Sequence, residues 1–182
     1  FVIEPKFSNV YDFSEGLSAA RQDKKYGFIN RKGEVVIEPR FDRVRSFSDG
    51  FAQVWIDEKC GYINKNGELV VNAIYDDCRI YSSGMAAVSS NGTWSYINNR
   101  GEKVAETLLS YAINYDEGLL PFVDNDYYII AKWGYMNTKG EVVIEPQYQW
   151  AHGFSEGLAC VETFGKSGYI NTKGEWIWKP TR

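Results

Sequence analysis

Among the residues of this 182-residue chain whose types could do acid–base chemistry, 24 are Asp or Glu and one is a histidine. The carboxylate pair that best fits a hydrolase is Asp124 with Asp126, in a stretch that interrupts the pattern around it. Glycoside hydrolysis needs two carboxyl groups facing each other across a sugar, and two acids at i and i+2 of one hairpin loop do not supply that. The single histidine, His152, stands where Arg45 and Arg79 stand in related segments, so an exposed polar role is expected rather than a catalytic base. One histidine also excludes His-pair metal sites. No GxSxG, HExxH or phosphate-cradling glycine loop is present. The chain is therefore expected not to be an enzyme and to carry no cofactor or metal. Cys60, Cys78 and Cys160 form no CxxC pair, and an odd count suits a closed disulfide framework poorly. All three are expected as buried or half-buried thiols. Asn91-Gly92-Thr93 matches a glycosylation acceptor, but reads more simply as a glycine turn.

Composition narrows the partners. Hydrophobic residues make up 44%, charged residues 24% and aromatics 16%, enough to bury a core. A net charge of −4 and a pI of about 5.1 lack the basic footprint of a nucleic-acid binder. No run approaches the ~20 apolar residues of a membrane helix, so no membrane insertion is expected. Phe1 in place of Met suggests a removed signal or upstream region, although no signal-like segment opens the chain.

The elements that would position any site come from an internal repeat. Gly33, Gly67, Gly101, Gly140 and Gly174 step by 34, 34, 39 and 34 residues. Gly16, Gly50, Gly84, Gly118 and Gly157 step by 34, 34, 34 and 39. Two registered ladders mean five tandem units, about 7–40, 41–74, 75–108, 109–147 and 148–180, with a partial flank at 1–6. One unit carries a five-residue insertion around Asp124 to Ala131. Each unit contains three short strands: Gly-Leu-Ala-x-Val, Gly-Tyr-Ile-Asn and Glu-Val-Val-Ile. A fourth, short strand is expected within Phe41 to Phe47. Asn30, Asn64, Asn98, Asn137 and Asn171 each precede their ladder glycine by three residues and a glutamate by four, the chemistry of a type I turn closed by a glycine bulge. Aromatic-Ser-acid-Gly, as in Phe47-Ser48-Asp49-Gly50, is expected to fill the core with its ring and turn the chain into the next strand. Proline in Ile37-Glu38-Pro39 and Ile144-Glu145-Pro146 is expected to end strand pairing.

Lys132-Trp133-Gly134-Tyr135-Met136-Asn137-Thr138-Lys139-Gly140-Glu141 through Pro146, followed by Phe154-Ser155-Glu156-Gly157, resembles the bacterial WG-containing repeat. The resemblance covers essentially the whole chain. The Trp-Gly dipeptide is intact only at Trp133-Gly134, and is replaced by Tyr26-Gly27, Cys60-Gly61, Trp94-Ser95 and Ser167-Gly168 elsewhere. The resemblance implies a β-repeat domain, often attached to others, with no chemistry that transfers residue by residue. Cell envelope or secretion is favoured over the cytoplasm.

The expected fold is all-β: tandem antiparallel meanders in an open twisted array, preferred to a closed five-bladed propeller. Val2-Ile3-Glu4-Pro5 and Ile177-Trp178-Lys179-Pro180 share one phase, and a ring has room for only one of them. Trp176 and Trp178 would cover the last sheet. The function expected is a binding module for a protein or glycan, acting through the loops between the Ala-x-Val and Gly-Tyr strands. Trp55, Tyr127, Tyr128 and Phe164 are the off-pattern aromatics there. The alternatives are a structural spacer that presents another domain, or a carboxylate-dependent hydrolase.

Overall fold

Short alternating stretches bounded by glycine turns form nineteen strands in the computed structural model, which describes residues 6–107, 117–123 and 131–180. The first sheet holds β1 (Asn9–Val10), β2 (Leu17–Gln22), β3 (Lys25–Asn30) and β4 (Val35–Phe41). The second holds β5 (Arg43–Val44), β6 (Phe51–Ile56), β7 (Lys59–Asn64) and β8 (Leu69–Tyr75). The third holds β9 (Asp77–Cys78), β10 (Met85–Ser90), β11 (Thr93–Asn98) and β12 (Lys103–Thr107). The fourth holds β13 (Leu119–Val123), β14 (Trp133–Asn137) and β15 (Val142–Tyr148). The fifth holds β16 (Trp150–Ala151), β17 (Leu158–Thr163), β18 (Lys166–Asn171) and β19 (Trp176–Trp178). Every sheet is an antiparallel meander of consecutive strands, and none closes into a barrel. The fold is all-β, built from repeats of about 34 residues. The short fourth strand is present as β5, inside Phe41 to Phe47.

The turns account for the repeated polar residues. In each Asn-x-x-Gly-Glu turn the asparagine Oδ1 accepts backbone N–H groups two and four residues on. Its Nδ2 donates to the glutamate carboxylate at 2.6–2.8 Å. The five Asn–Glu pairs are thus spent on their own backbone. The ladder glycine sits at φ near +80°, where a side chain is strained.

The glycine of Trp-Gly has a different task. A Cβ on Gly61 would overlap the Val71 carbonyl oxygen and lie 2.7 Å from Ala73 N. The outer strand crosses at that point in a bulge: Tyr62 pairs with Val71, but Cys60 pairs with Tyr75. The first and fourth sheets repeat this. Proline does not end pairing, contrary to the sequence expectation. Pro39 and Pro146 lie inside β4 and β15, within the bulge, where the ladder needs no donor. The third sheet lacks both features: Ser95 replaces the glycine, and it pairs regularly with Glu106.

The chain forms two compact units, residues 1–81 with 86–92, and 82–85 with 93–182. In the first, Phe28, Ile37, Phe41, Phe47, Val54 and Ile63 share a core. Phe28 meets Phe47 edge-on at 4.8 Å, and Tyr62 meets Tyr81 at 4.7 Å. Ser14 Oγ donates to the Phe47 carbonyl at 2.7 Å, and Ser48 Oγ to the Tyr81 carbonyl at 2.9 Å. The Glu15 carboxylate accepts Gly50 N–H at 3.1 Å. In the second unit, Tyr135 meets Phe154 at 4.8 Å, and the Glu117 carboxylate accepts Gly157 N–H at 2.9 Å. Rings, a serine and an acid therefore join consecutive repeats in one recurring pattern.

Two cysteines depart from expectation. Cys60 and Cys78 form a disulfide, with Cα atoms 6.2 Å apart, between the second and third sheets. Cys60 holds the place of Trp133, whose ring lies tilted 4.8 Å from Trp150 of the next repeat, and Cys78 holds the place of Ala151, the residue that follows Trp150. Cys160 alone remains a thiol, half-buried.

Candidate functional site

The described hairpins between the second and third strands of the first, second, third and fifth repeats are tight. Asp23-Lys24, Asp57-Glu58, Asn91-Gly92 and Phe164-Gly165 all have positive φ at both positions, the geometry of a two-residue hairpin loop. Asp and Asn tolerate that conformation because their short polar side chains bond locally. Phenylalanine does not, and a bulky residue there is a conformational outlier. Phe164 sits at φ +50° and is 92% exposed. Its hairpin is held in place: the Gln149 side-chain oxygen accepts Gly165 N–H at 2.9 Å. Asp42 does the same for Asp57 N–H at 3.1 Å, and Asp76 for Asn91 N–H at 2.6 Å.

Phe164 borders a cavity of about 630 Å³ lined also by Tyr148, Thr163, Lys166, Trp176 and Lys179. Tyr148 forms part of the buried core, and Trp176 meets it edge-on at 5.9 Å. Burial pushes the Tyr148 hydroxyl pKa up, so it is a neutral donor at pH 7. The cavity thus has an aromatic floor and two lysines among its lining residues. Nothing in it resembles a nucleophile with a base, and among the described residues no three His, Cys, Asp or Glu gather to hold a metal.

The other aromatics expected at loop tips fall elsewhere. Trp55 lies inside β6 opposite Cys60, only 9% exposed, with the Arg43 guanidinium 4.8 Å from its ring. Its place in the sheet, packed under that arginine, corrects the expectation of an exposed anchor. Tyr127, Tyr128, Asp124 and Asp126 lie outside the described residues. His152 is exposed, and its carbonyl accepts the Tyr135 hydroxyl at 2.7 Å. Sequence reasoning missed Tyr148 and Lys179, and read Trp176 only as cover for an edge. Trp176 does pack against the core, but Trp178 stacks on Tyr169 and stays exposed. A signal was available: Phe164 fills an Asp/Asn slot, and Trp176 falls where the other repeats carry Val35, Leu69, Lys103 and Val142.

A meander repeated with its own turn chemistry defines an all-β repeat module. The chain belongs to the family described as "WG containing repeat", which matches residues 1–26, 26–60, 61–94, 94–128 and 133–166. No curated protein sequence matches the chain. Among solved structures it is similar to a eukaryotic initiation factor, at 12% identity and a TM-score of 0.51, covering 94% of this chain and 56% of that one. It is also similar to Kluyveromyces lactis Hsv2, at 12% identity and a TM-score of 0.46, covering 90% of this chain and 59% of that one. The chain spans less than two thirds of the length of either structure. Structural neighbours of the chain have β-propeller-like folds.

Proposed function

We propose that the chain is a non-catalytic interaction module that takes an apolar, acid-flanked segment of a protein partner into the cavity beside Phe164. The observation that carries this reading is Phe164 itself. A phenylalanine held exposed in a strained turn, where other repeats use Asp or Asn, has no packing role to explain it. The Gln149 hydrogen bond holds the loop before binding, which lowers the ordering cost of association. Tyr148 and Trp176 offer the kind of desolvated aromatic pocket in which binding anchors concentrate. Lys166 and Lys179 favour acidic residues beside the anchor. A protein segment is preferred to a glycan because the charged groups lining the cavity are both lysines, with no carboxylate among them to accept sugar hydroxyls.

The test is affinity capture with the intact chain, comparing wild type with Phe164→Ala and Lys179→Glu, alongside a glycan array. A partner that is captured by wild type, lost in both variants and insensitive to sugars supports the reading. Equal capture by all three, or binding only on the array, overturns it.

A further inference from the structure

We infer that β8 takes up an extended apolar segment of a protein partner, flanked by basic residues, as an added strand. The inference is independent of the Phe164 cavity and rests on what the outer strands of the sheets carry. β4, β8, β12 and β15 lie at the edges of their sheets, each paired on one side to the strand before it. A strand edge offers N–H and C=O groups to any extended chain, and charged side chains on the edge ordinarily block that pairing. β4 exposes Glu38 and Arg40, β12 contains Lys103 and Glu106, and β15 exposes Glu145. β8, Leu69-Val70-Val71-Asn72-Ala73-Ile74-Tyr75, contains no charged residue. Asn72 stands at the place of Glu38 and Glu145, and Ile74 at that of Arg40. Arg40 donates to the Gly67 carbonyl of the following repeat and so ties its edge down. Ile74 has no such donor and is 61% exposed, while Leu69 near the other end of the strand is 42% exposed. Among the described residues no backbone hydrogen bond reaches the outer side of β8.

The charges around β8 define the strand that fits. Glu68 precedes it, and its carboxylate meets the Asn64 amide rather than a cation. At the other end Asp76 and Asp77 follow Tyr75 directly, and the hairpin tip leading into Lys59 adds Asp57 and Glu58. Lys59 pairs with Asp76 and Arg79 with Asp77, which leaves the tip acids in excess. An apolar strand bracketed by acids is complementary to an apolar segment bracketed by lysine or arginine. A second copy of the chain fits worse. Pairing β8 antiparallel with itself about Asn72 sets Glu68 opposite Asp76, and like charges directly opposite destabilise a sheet. β8 bulges opposite Gly61 as β4 does opposite Gly27, so the bulge does not distinguish the two edges and the charges do. Main-chain hydrogen bonds would supply affinity for the added strand, and the flanking charges selectivity.

Fluorescence polarisation of labelled peptides with the full chain tests this. The probes are Lys-Thr-Val-Thr-Val-Thr-Val-Lys, the same peptide with glutamate at both ends, and the lysine-ended peptide with proline for its middle valine. Wild type should bind the lysine-ended peptide, and the glutamate-ended one at least about tenfold more weakly. The proline peptide should not bind, because it cannot donate at its centre. Asn72→Glu with Ile74→Arg gives β8 the charges of β4. Both side chains are exposed, so this double variant should lose the peptide at an unchanged melting temperature. Hydrogen exchange of wild type should slow at residues 69–75 when the peptide binds. No binding of the lysine-ended peptide, equal binding of the glutamate-ended one, equal binding by the double variant, or protection that omits residues 69–75 overturns the inference. So does wild-type self-association that Ile74→Arg abolishes in sedimentation velocity, since a second copy would then be the occupant. Phe164→Ala should leave peptide binding intact, so the failure of this inference is separable from failure of the proposed partner site.

Discussion

Gly61-Tyr62-Ile63-Asn64 and Gly168-Tyr169-Ile170-Asn171 are the same four residues in two repeats, with opposite fates for the tyrosine. Tyr62 is fully buried, sends its hydroxyl to the Arg79 carbonyl and meets Tyr81. Tyr169 is 41% exposed and stacks on Trp178, at 6.1 Å. The strand, turn and register around them are alike. The difference is a following sheet packed over the first tyrosine, whereas among the described residues none packs over the second. In a repeat protein stability resides in interfaces between neighbours, so one local sequence is core at one place and surface at another.

Breaking that contrast most directly gives the largest effect. Tyr62→Ala should cost about 3–5 kcal/mol in urea unfolding. Tyr169→Ala should cost less than about 1 kcal/mol, as for a surface site. Equal losses would mean that the two faces are equally covered in solution.

The covalent link across the buried junction comes next. Reduction of Cys60–Cys78, or Cys60→Ser with Cys78→Ser, should lower stability by about 3 kcal/mol for an 18-residue separation. A melting temperature that ignores reductant would show that ring packing alone carries the junction.

Glycine substitutions sharpen the comparison within one sheet. Gly61→Ala forces backbone against backbone at the bulge and should cost about 2 kcal/mol. Gly67→Val, at φ +83° and with its Cβ 3.0 Å from Ile37 Cγ2, should cost at least about 1 kcal/mol. Gly168→Ala should be milder than Gly61→Ala, because two of the three atoms it would meet belong to the Pro180 and Trp176 side chains. Denaturant midpoints of the three variants decide the order.

The smallest effect is titratable. The Lys25 hydrogen bond and then the Asp57 N–H hold the Asp42 carboxyl below the usual carboxylate range, and Lys59 with Asn91 N–H does the same for Asp76. A carboxyl depressed in the folded state contributes stability above its unfolded pKa of about 3.9 and loses it as pH falls through the folded value. The tips held by Asp42 and Asp76 should therefore loosen below about pH 4. The Phe164 tip, held by the amide of Gln149, should not. Hydrogen exchange at Asp57 and Gly165 across that range checks this, and parallel acid loss at both tips would contradict it.

The sequence by itself determined the local structure. Asparagine, glycine and glutamate at fixed offsets close their own turns through hydrogen bonds spanning no more than four residues, so the turns, strands and five-fold repetition were all legible. The aromatic of each aromatic-Ser-acid-Gly segment was legible as core wherever another sheet covers it. What only the tertiary structure decided involves residues far apart in the chain. Pro39 sits in a bulge because β3 and β4 slip register around Gly27, and only the paired strands reveal that slip. Cys60 and Cys78 form a bond because adjacent repeats bring residues 18 apart within reach, and the cysteine count argued against it. Trp55 and Phe164 look alike as off-pattern loop aromatics. Burial opposite Cys60 removes one, and the turn conformation presents the other, because exposure belongs to the assembled sheets rather than to the residue type.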